Sequence, residues 1–335
     1  MPSDLAVLIV SYNTRDLLES CLRSLLRATS EVDFALVVVD NASSDGAWQV
    51  VEGHFPHARV IKLDRNIGFA AAANRGLAEV RTDFVLILNP DTLIPRGSVI
   101  KLLSFLREHP AAAVAGASLT DPDGTPQTST FRFPSLFREF WNFLPELKFA
   151  LHLRQAAVRL GWPQSNRHSG HGSVAIPVEC TSGAACMVRT EAIRQVGGFD
   201  DRFFLYHEEM DLCTRLLQAG WGVFFVPGAQ VIHWDAQASG YRPSRLPDMP
   251  LLGWRVGGMD LLWHKHRPGV GHRRWRRLAR SLLRVRLLAN RVRAACPGSG
   301  RPARRERIHD LAQAVELLQR RLGSEDDSAN SRNMA

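Results

Sequence analysis

The chain has 335 residues, 45% of them hydrophobic and 22% charged, enough apolar content for one large globular domain plus an appendage. No run approaches the roughly 18 apolar residues a membrane span needs and no signal-peptide pattern opens the chain, so a cytoplasmic protein is expected. The five cysteines form no C-x-x-C pair, which argues against a disulfide frame or zinc site, and the net charge of +9 is lopsided: between Lys265 and Arg307 fifteen Lys or Arg face one acid, Glu306, leaving the remainder net acidic.

In chain order, Leu5–Val10 is an apolar run ending in Ser11-Tyr12-Asn13-Thr14. Leu17, Leu18, Cys21, Leu22 and Leu25 then recur at helical spacing, with Asn13 or Thr14 as the N-cap. Phe34–Val39 predicts a second buried strand, followed by Asp40-Asn-Ala-Ser-Ser-Asp-Gly46 and a helix through Trp48 and Val51. A third strand, Arg59–Leu63, precedes Asn66-Ile67-Gly68-Phe69 and an alanine-rich helix to about Val80. The fourth, Phe84–Leu88, stops abruptly at Asn89-Pro90-Asp91, because Pro90 removes a ladder donor; a helix over about Ser98–Arg107 follows. Four strand–helix alternations predict an α/β fold with a doubly wound, mostly parallel sheet and right-handed crossovers.

Three of these strands end in polar loops carrying Asp40, Asn66 or Asp91, and the first ends at Tyr12-Asn13. Polar groups thus gather at the carboxyl edge of the sheet, where open α/β sheets bind ligands. Asp91 there either holds a divalent metal against phosphate oxygens or completes a simple β-turn with Asn89 and Pro90. No G-x-x-x-x-G-K-[ST] loop is present, and the G-x-G-x-x-A match at Gly170–Ala175 lies far from the first strand.

Eight aromatic residues crowd residues 131–163, as either a flap packed over the sheet or a surface for lipid or a greasy acceptor; residues 163–176 read as a loop. Val178–Arg189 is strand-like, with Gly183 allowing close backbone approach to a ligand. After a short helix, Glu191–Val196, come Gly197-Gly-Phe-Asp200 and Phe203-Phe-Leu-Tyr-His-Glu-Glu-Met-Asp-Leu212, opening a helix that Gly220 ends. Glu209 shares its face with Leu212, Cys213 and Leu216 and so points inward, while Glu208, Asp211 and Arg215 share another. Three carboxylates in one turn complement the helix dipole or supply a partly buried general base. Val223–Val226 and Gln230–His233 predict two short strands, with His233 a structural residue or a ligand.

Leu8-Ile-Val-Ser-Tyr-Asn-Thr14, Val39–Gly46, Arg65–Phe69 with Asn74, Asn89-Pro-Asp91, Gly197–Asp200 and Phe203–Leu212 occur in that order. Together they resemble the family 2 glycosyltransferases of GT-A fold, in particular the rhamnosyltransferase-like branch, over about residues 5–240. The resemblance implies that Asp40, with the Ser11-Tyr12-Asn13 loop, contacts the nucleoside base and that Asn66 and Gly68 border the ribose and diphosphate. Asn89-Pro90-Asp91 stands where the family carries D-x-D, so Asp91 would bind Mn²⁺ or Mg²⁺ with His233. Glu209 occupies the position of the family's catalytic Asp, with Glu208 and Asp211 as the other candidate bases. An inverting, non-processive transfer follows, from a UDP- or dTDP-sugar to a cell-envelope glycan or polyprenyl-linked acceptor; the processive Q-x-x-R-W motif is absent, Arg274-Trp275 having Gly271 in the Gln position.

Expected boundaries are 1–245 for the GT-A domain, 246–323 for a basic helical extension and 324–335 for a disordered tail. Leu278, Leu282, Val285 and Leu288 follow helical spacing among arginines, and Trp254, Trp263 and Trp275 suit a headgroup boundary. That pattern predicts peripheral contact with an anionic membrane at its inner face, or else a solvated helix packed on the catalytic domain. Nucleic acid is not the expected partner, because no base-reading motif accompanies the arginines. The alternative to an enzyme is a catalytically inactive sugar-nucleotide-binding or scaffold protein, since Glu209 and Asn89 depart from the family pattern.

Overall fold

The computed structural model describes residues 4–28, 32–136, 174–234 and 251–295, with residues 312 and 316. Two compact units divide the chain, Met1–Phe133 with Ser165–Arg245 and Pro134–Gln164 with Leu246–Ala335. Most of the aromatic segment and of the loop after it, nearly all of the extension beyond residue 295, and the 324–335 tail lie outside the described residues.

In the first unit the chain runs β1 (Leu5–Ser11), α1 (Arg15–Ala28), β2 (Ala35–Asp40), α2 (Ala47–His54), β3 (Arg59–Lys62), α3 (Phe69–Leu77) and β4 (Phe84–Leu88). These elements match the expected alternation because each strand is a short apolar run bounded by Gly, Pro, Asn or Asp. Every residue of β4 is buried, as two-sided coverage of a parallel strand demands. Next come β5 (Thr92–Leu93), α4 (Ser98–Glu108), β6 (Ala112–Thr120), β7 (Thr130–Phe131), β8 (Ile176–Pro177), β9 (Cys180–Thr181) and β10 (Ala185–Arg189). Helices α5 (Thr190–Gln195) and α6 (Glu208–Gln218) and strand β11 (Gly222–His233) complete the unit.

The main sheet has the order β3-β2-β1-β4-β10-β6-β11-β5, with β8 paired to β11. It is parallel from β3 to β4 and again between β6 and β11, while β10, β8 and β5 run antiparallel to their neighbours. Strand order reverses between β1 and β4, so the crevice at their carboxyl ends is the switch point of the sheet. Several elements differ from expectation: the segment Val178–Arg189 is split into β9 and β10, the short strands β5, β7 and β8 are additional, and two further differences lie in the main sheet. Strand β6 is built from Ala and Gly, whose weak strand preference hid it; the small residues are required because a Cβ on Gly116 would stand 2.4 Å from Thr181 Cβ. The segments Val223–Val226 and Gln230–His233 form one strand, β11, whose pairing with β6 slips between Val226 and Gln230 as Pro227-Gly228-Ala229 bulge out.

The second unit contains two helices, α7 (Leu251–His266) and α8 (Val270–Ala295). Val256, Trp263, Trp275, Ala279 and Leu283 form its core, and the Trp263 and Trp275 rings stack with centroids 6.4 Å apart. The expected apolar stripe is therefore divided. Leu282 turns inward, while Val285 and Leu288 are 51% and 64% exposed. Trp263 and Trp275 are buried in this core rather than presented to a headgroup layer, because large aromatic rings gain more from packing helix on helix. Beside them Asp260 accepts two bonds from Arg276, at 2.6 and 2.8 Å, and one from His272 Nε2 at 2.8 Å. Burial opposes the Asp260 charge, but these partners outweigh it and hold the carboxyl well below its usual range.

Candidate active site

The loops at the carboxyl edge of the first unit are tied to one another by side chains. Asn13, in a left-handed conformation, receives the N–H and hydroxyl of Ser44 on its Oδ1, at 2.8 and 3.2 Å, and donates its own N–H to Ser43 Oγ at 3.0 Å. Ser11 is fully buried, its hydroxyl 2.9 Å from Thr14 Oγ1, so it shapes the loop from within. Tyr12 sits half-buried between them. Asp40 ends β2, with Oδ2 accepting the Ser43 N–H at 3.0 Å. Its Oδ1 is buried without a hydrogen-bond partner among the described residues, and burial raises its pKa above the usual carboxylate range.

Asn41 was not singled out in the sequence, yet it organises the next loop. Its amide donates to Asn66 Oδ1 at 2.9 Å, and its oxygen accepts the Ile67 N–H at 3.0 Å. Asn66 Oδ1 in turn accepts the Gly68 N–H at 2.9 Å. Gly68 has φ +86°, and a Cβ there would lie 2.6 Å from the Phe204 carbonyl oxygen, so only glycine suits it. Phe69 N–H donates to that same carbonyl at 2.7 Å, docking the Phe203–Tyr206 segment onto the start of α3.

Asn74, on α3, grips the Gly197–Asp200 turn: its amide donates to Phe199 O at 2.8 Å and its oxygen accepts Phe199 N–H at 2.9 Å. Tyr206 and His207 then adopt two successive left-handed conformations, φ 70° and 73°, and swing the chain into α6. Such residues cost about 1–3 kcal/mol each and persist only where the surroundings over-determine them. Asp211 is fully buried and paired with Arg215 at 2.8 Å, whose other nitrogens reach the Val196 and Gly198 carbonyls at 2.6 and 2.8 Å. Asp211 therefore ties α6 to the turn before it.

Glu208 and Glu209 face a different environment. Glu208 is buried, Glu209 is half-buried, and the Oε2 atom of each is enclosed without a hydrogen-bond partner among the described residues. Glu209 lines an apolar cavity with Phe69, Phe199, Cys186 and Cys213. A Cβ on Gly183 would stand 3.6 Å from the Glu209 Cβ, an ordinary contact distance, so Gly183 lies directly against this side chain. Burial raises both carboxyls, Glu208 the further because repulsion from Glu209 adds to it. The Glu209 carboxylate is partly relieved by backbone N–H groups of Glu209 and His207 and by a hydrogen bond from Glu208. Both carboxyls therefore hold protons more readily than free ones, Glu208 more so than Glu209.

Asp91 and His233, 142 residues apart in the chain, meet because β5 pairs antiparallel with the end of β11, His233 opposite Thr92. Trp234 N–H donates to Asp91 O at 2.9 Å, and Thr92 Oγ1 donates to Asn89 O at 2.8 Å, fixing the Asn89–Thr92 turn. Both side chains are buried, and His233 Nε2 stands 3.4 Å from Asp91 Oδ1. An oxygen and an imidazole nitrogen facing one another in a dry niche suit a divalent cation. Among the described residues no third His, Cys, Asp or Glu joins them, so any cation held here would need further ligands from outside the protein. Asn89 N–H bonds Ala184 O at 2.9 Å, which joins this turn to Gly183 and hence to Glu209 by a short path.

The family model described as Glycosyl transferase family 2 matches residues 6–197. The chain belongs to this family. It is a glycosyltransferase, and its rhamnosyltransferase-like character rests on its relatives. The N-acetylglucosaminyl-diphospho-decaprenol L-rhamnosyltransferase of Mycobacterium tuberculosis is 33% identical over 255 residues, covering 73% of this chain and 80% of the relative. Rhamnosyltransferase WbbL of Escherichia coli K12 is 25% identical, with 68% of this chain and 82% of that protein covered. The mannosyltransferase PcManGT from Pyrobaculum calidifontis, solved with GDP-Man and Mn²⁺, matches 95% of this glycosyltransferase and 86% of its own chain, with TM-score 0.51 and 16% identity. GalNAc-T7, solved with UDP, GalNAc and Mn²⁺, has TM-score 0.57 and 14% identity, with 95% of this chain spanning 55% of that one. At these identities the structures establish the GT-A fold alone.

Proposed function

We propose that this glycosyltransferase moves a single sugar, rhamnose in the first instance, from a dTDP- or UDP-sugar to a polyprenyl-linked glycan acceptor, with inversion at the anomeric carbon. The observation that carries the reading is the Glu208–Glu209 pair, two adjacent carboxyls with enclosed Oε2 atoms beside the strained Tyr206-His207 turn. In the reaction, the acceptor hydroxyl oxygen attacks the anomeric carbon from the face opposite the diphosphate. The hydroxyl proton passes to Glu209, and the bonding electrons leave with the diphosphate oxygen. A divalent cation, Mn²⁺ or Mg²⁺, would be held by Asp91 and His233 and neutralise the leaving diphosphate when bound. Mn²⁺ in the two GT-A structures supports that choice.

Asp40 supports a uracil or thymine donor, because an enclosed carboxylate oxygen without a partner accepts the N3–H those bases carry, whereas N3 of cytosine is itself an acceptor. The rhamnose assignment and the polyprenyl acceptor come from the mycobacterial relative. Incubation with dTDP-rhamnose and a short-chain polyprenyl-diphospho-GlcNAc is expected to extend the acceptor by one sugar in a divalent-cation-dependent reaction. Retention of the donor's anomeric configuration in the product would overturn the mechanism, and no transfer from any dTDP- or UDP-sugar would favour an inactive nucleotide-binding scaffold.

The second unit supports contact with the membrane that carries such an acceptor. No described helix is long and apolar enough to cross a bilayer. The outward face of α8 instead exposes Arg273, Arg274, Arg277, Arg284 and Arg291 alongside Val285 and Leu288. At about 1 kcal/mol per basic residue near an anionic surface, these five could supply several kcal/mol. Replacing Arg277, Arg284 and Arg291 by Gln is expected to reduce cosedimentation with phosphatidylglycerol vesicles by at least about tenfold and to leave transfer to a detergent-soluble acceptor unchanged. Equal sedimentation of both proteins would remove the membrane role of this face.

A further inference from the structure

We infer that Gln127 is a positioning residue: it locks the His233 imidazole as the Nδ1–H tautomer, aims the Nε2 lone pair at Asp91, and thereby sets the affinity of that pair for a divalent cation. Gln127 follows a tight turn at the end of β6. Gly124, with φ +85°, donates its N–H to Asp121 O at 2.9 Å, Asp121 N–H bonds Thr125 O at 2.8 Å, and Gln127 N–H returns to Leu119 O at 2.9 Å. The turn lays the Gln127 side chain against the end of β11, which runs parallel to β6 with Ile232 opposite Thr120.

The orientation of the Gln127 amide follows from its neighbours. Its Nε2 lies 2.6 Å from Asp121 Oδ1 and 2.7 Å from the His233 carbonyl oxygen, two groups that can only accept. Turning the amide over would set its oxygen against both. Gln127 Oε1 must then be the atom 2.9 Å from His233 Nδ1, and because a carbonyl oxygen cannot donate, Nδ1 carries the proton. In the neutral ring Nε2 is left with a lone pair, directed at Asp91 Oδ1 at 3.4 Å. Two acceptors face one another there, an arrangement that a cation relieves. A hydrogen bond on the far nitrogen also fixes ring orientation and raises ligand basicity, and loss of such a partner costs metal sites about 10–100-fold in affinity. Without Gln127 the imidazole could place its proton on Nε2 and donate to Asp91, closing the niche.

The inference rests on the metal reading of Asp91 and His233, and the test separates the two. In the metal-free full-length protein labelled with [¹⁵N]histidine, the signals of the neutral His233 ring are expected to show a protonated Nδ1 and a bare Nε2. They are assigned by their loss in His233→Asn. Gln127→Leu is expected to move the proton to Nε2 and to weaken Mn²⁺ binding, followed by the electron paramagnetic resonance of free Mn²⁺, by about 10–100-fold. Asp121→Asn, whose amide oxygen still accepts from Gln127, is expected to stay close to wild type. A protonated Nε2 in the wild type, or unchanged Mn²⁺ affinity in a Gln127→Leu protein that melts cooperatively, overturns the inference. Wild type that shows the Nδ1–H tautomer yet binds no Mn²⁺ sinks the metal reading while supporting the tautomer lock. Should Gln127→Leu not fold, Gln127→Met carries the same expectation, and the wild-type spectrum decides the tautomer by itself.

Discussion

Glu209→Gln is expected to lower turnover by about 10²–10⁴-fold, the usual contribution of a positioned general base, while nucleotide binding is retained. The argument is one of division of labour between two neighbouring carboxyls. Glu208 is the more deeply enclosed and its pKa is raised the further; Glu209 is raised less, being relieved by backbone N–H groups at the start of α6. An ionised carboxylate supported in this way can take a proton, whereas a protonated one cannot. Glu208→Gln keeps a donor beside Glu209 and is expected to be the milder substitution. Glu209→Asp, one methylene shorter, retains the charge and should restore part of the rate. Burial also fixes a pH dependence. Because burial raises Glu209 above the ordinary carboxyl value of 4.5, kcat/KM should fall on acidification from a pH above that value, as the base is protonated. Steady-state kinetics across pH for the three variants check both points. Equal loss in Glu208→Gln and Glu209→Gln would show that neither residue alone is the base, and undiminished turnover in Glu209→Gln would remove the assignment.

Much of this site was legible because its parts are local. Asp40 ends β2, and Asn66 and Asp91 stand four and three residues past β3 and β4, so recognising the strands carries all three to the same edge of the sheet. Glu209 was readable as inward-facing because helical spacing puts it over Leu212, Cys213 and Leu216, and it does line an enclosed cavity. What escaped were the pairings between residues remote in the chain. Asn74 meets Phe199 across 125 residues and Gln127 meets His233 across 106, and neither pairing leaves a periodic trace. Strand β6 escaped for another reason: its alanines and Gly116 answer to the close passage of Thr181, a tertiary demand that overrides strand propensity. In the second unit the basic amphipathic pattern was visible, but periodicity could not tell which apolar side chains another helix would claim. The Trp263–Trp275 stack claims the tryptophans.

Asp91→Ala is expected to abolish the cation-dependent part of nucleotide binding. A cation held by two protein groups draws the rest of its shell from diphosphate and water, so each protein ligand carries a large share of the affinity. Removing the carboxylate leaves His233 Nε2 as a lone neutral ligand and takes away the negative charge that offsets the cation in a buried niche. Calorimetric titration of dTDP and UDP into the wild type, with and without Mn²⁺, should give tighter binding with the metal. In Asp91→Ala the two curves should coincide, at the weak affinity left by Asp40 and the Asn66–Gly68 loop. That residual binding is separable, because Asp40 and Asp91 follow different strands and have different partners, Ser43 N–H on the Asp40 carboxylate and Trp234 N–H on the Asp91 carbonyl. Sites without shared partners contribute nearly additively. Asp40→Ala should therefore weaken nucleotide binding equally with and without Mn²⁺, and the double variant should lose the sum of the two effects. A metal-dependent increment that survives in Asp91→Ala would move the cation away from the β4–β5 turn and take His233 with it.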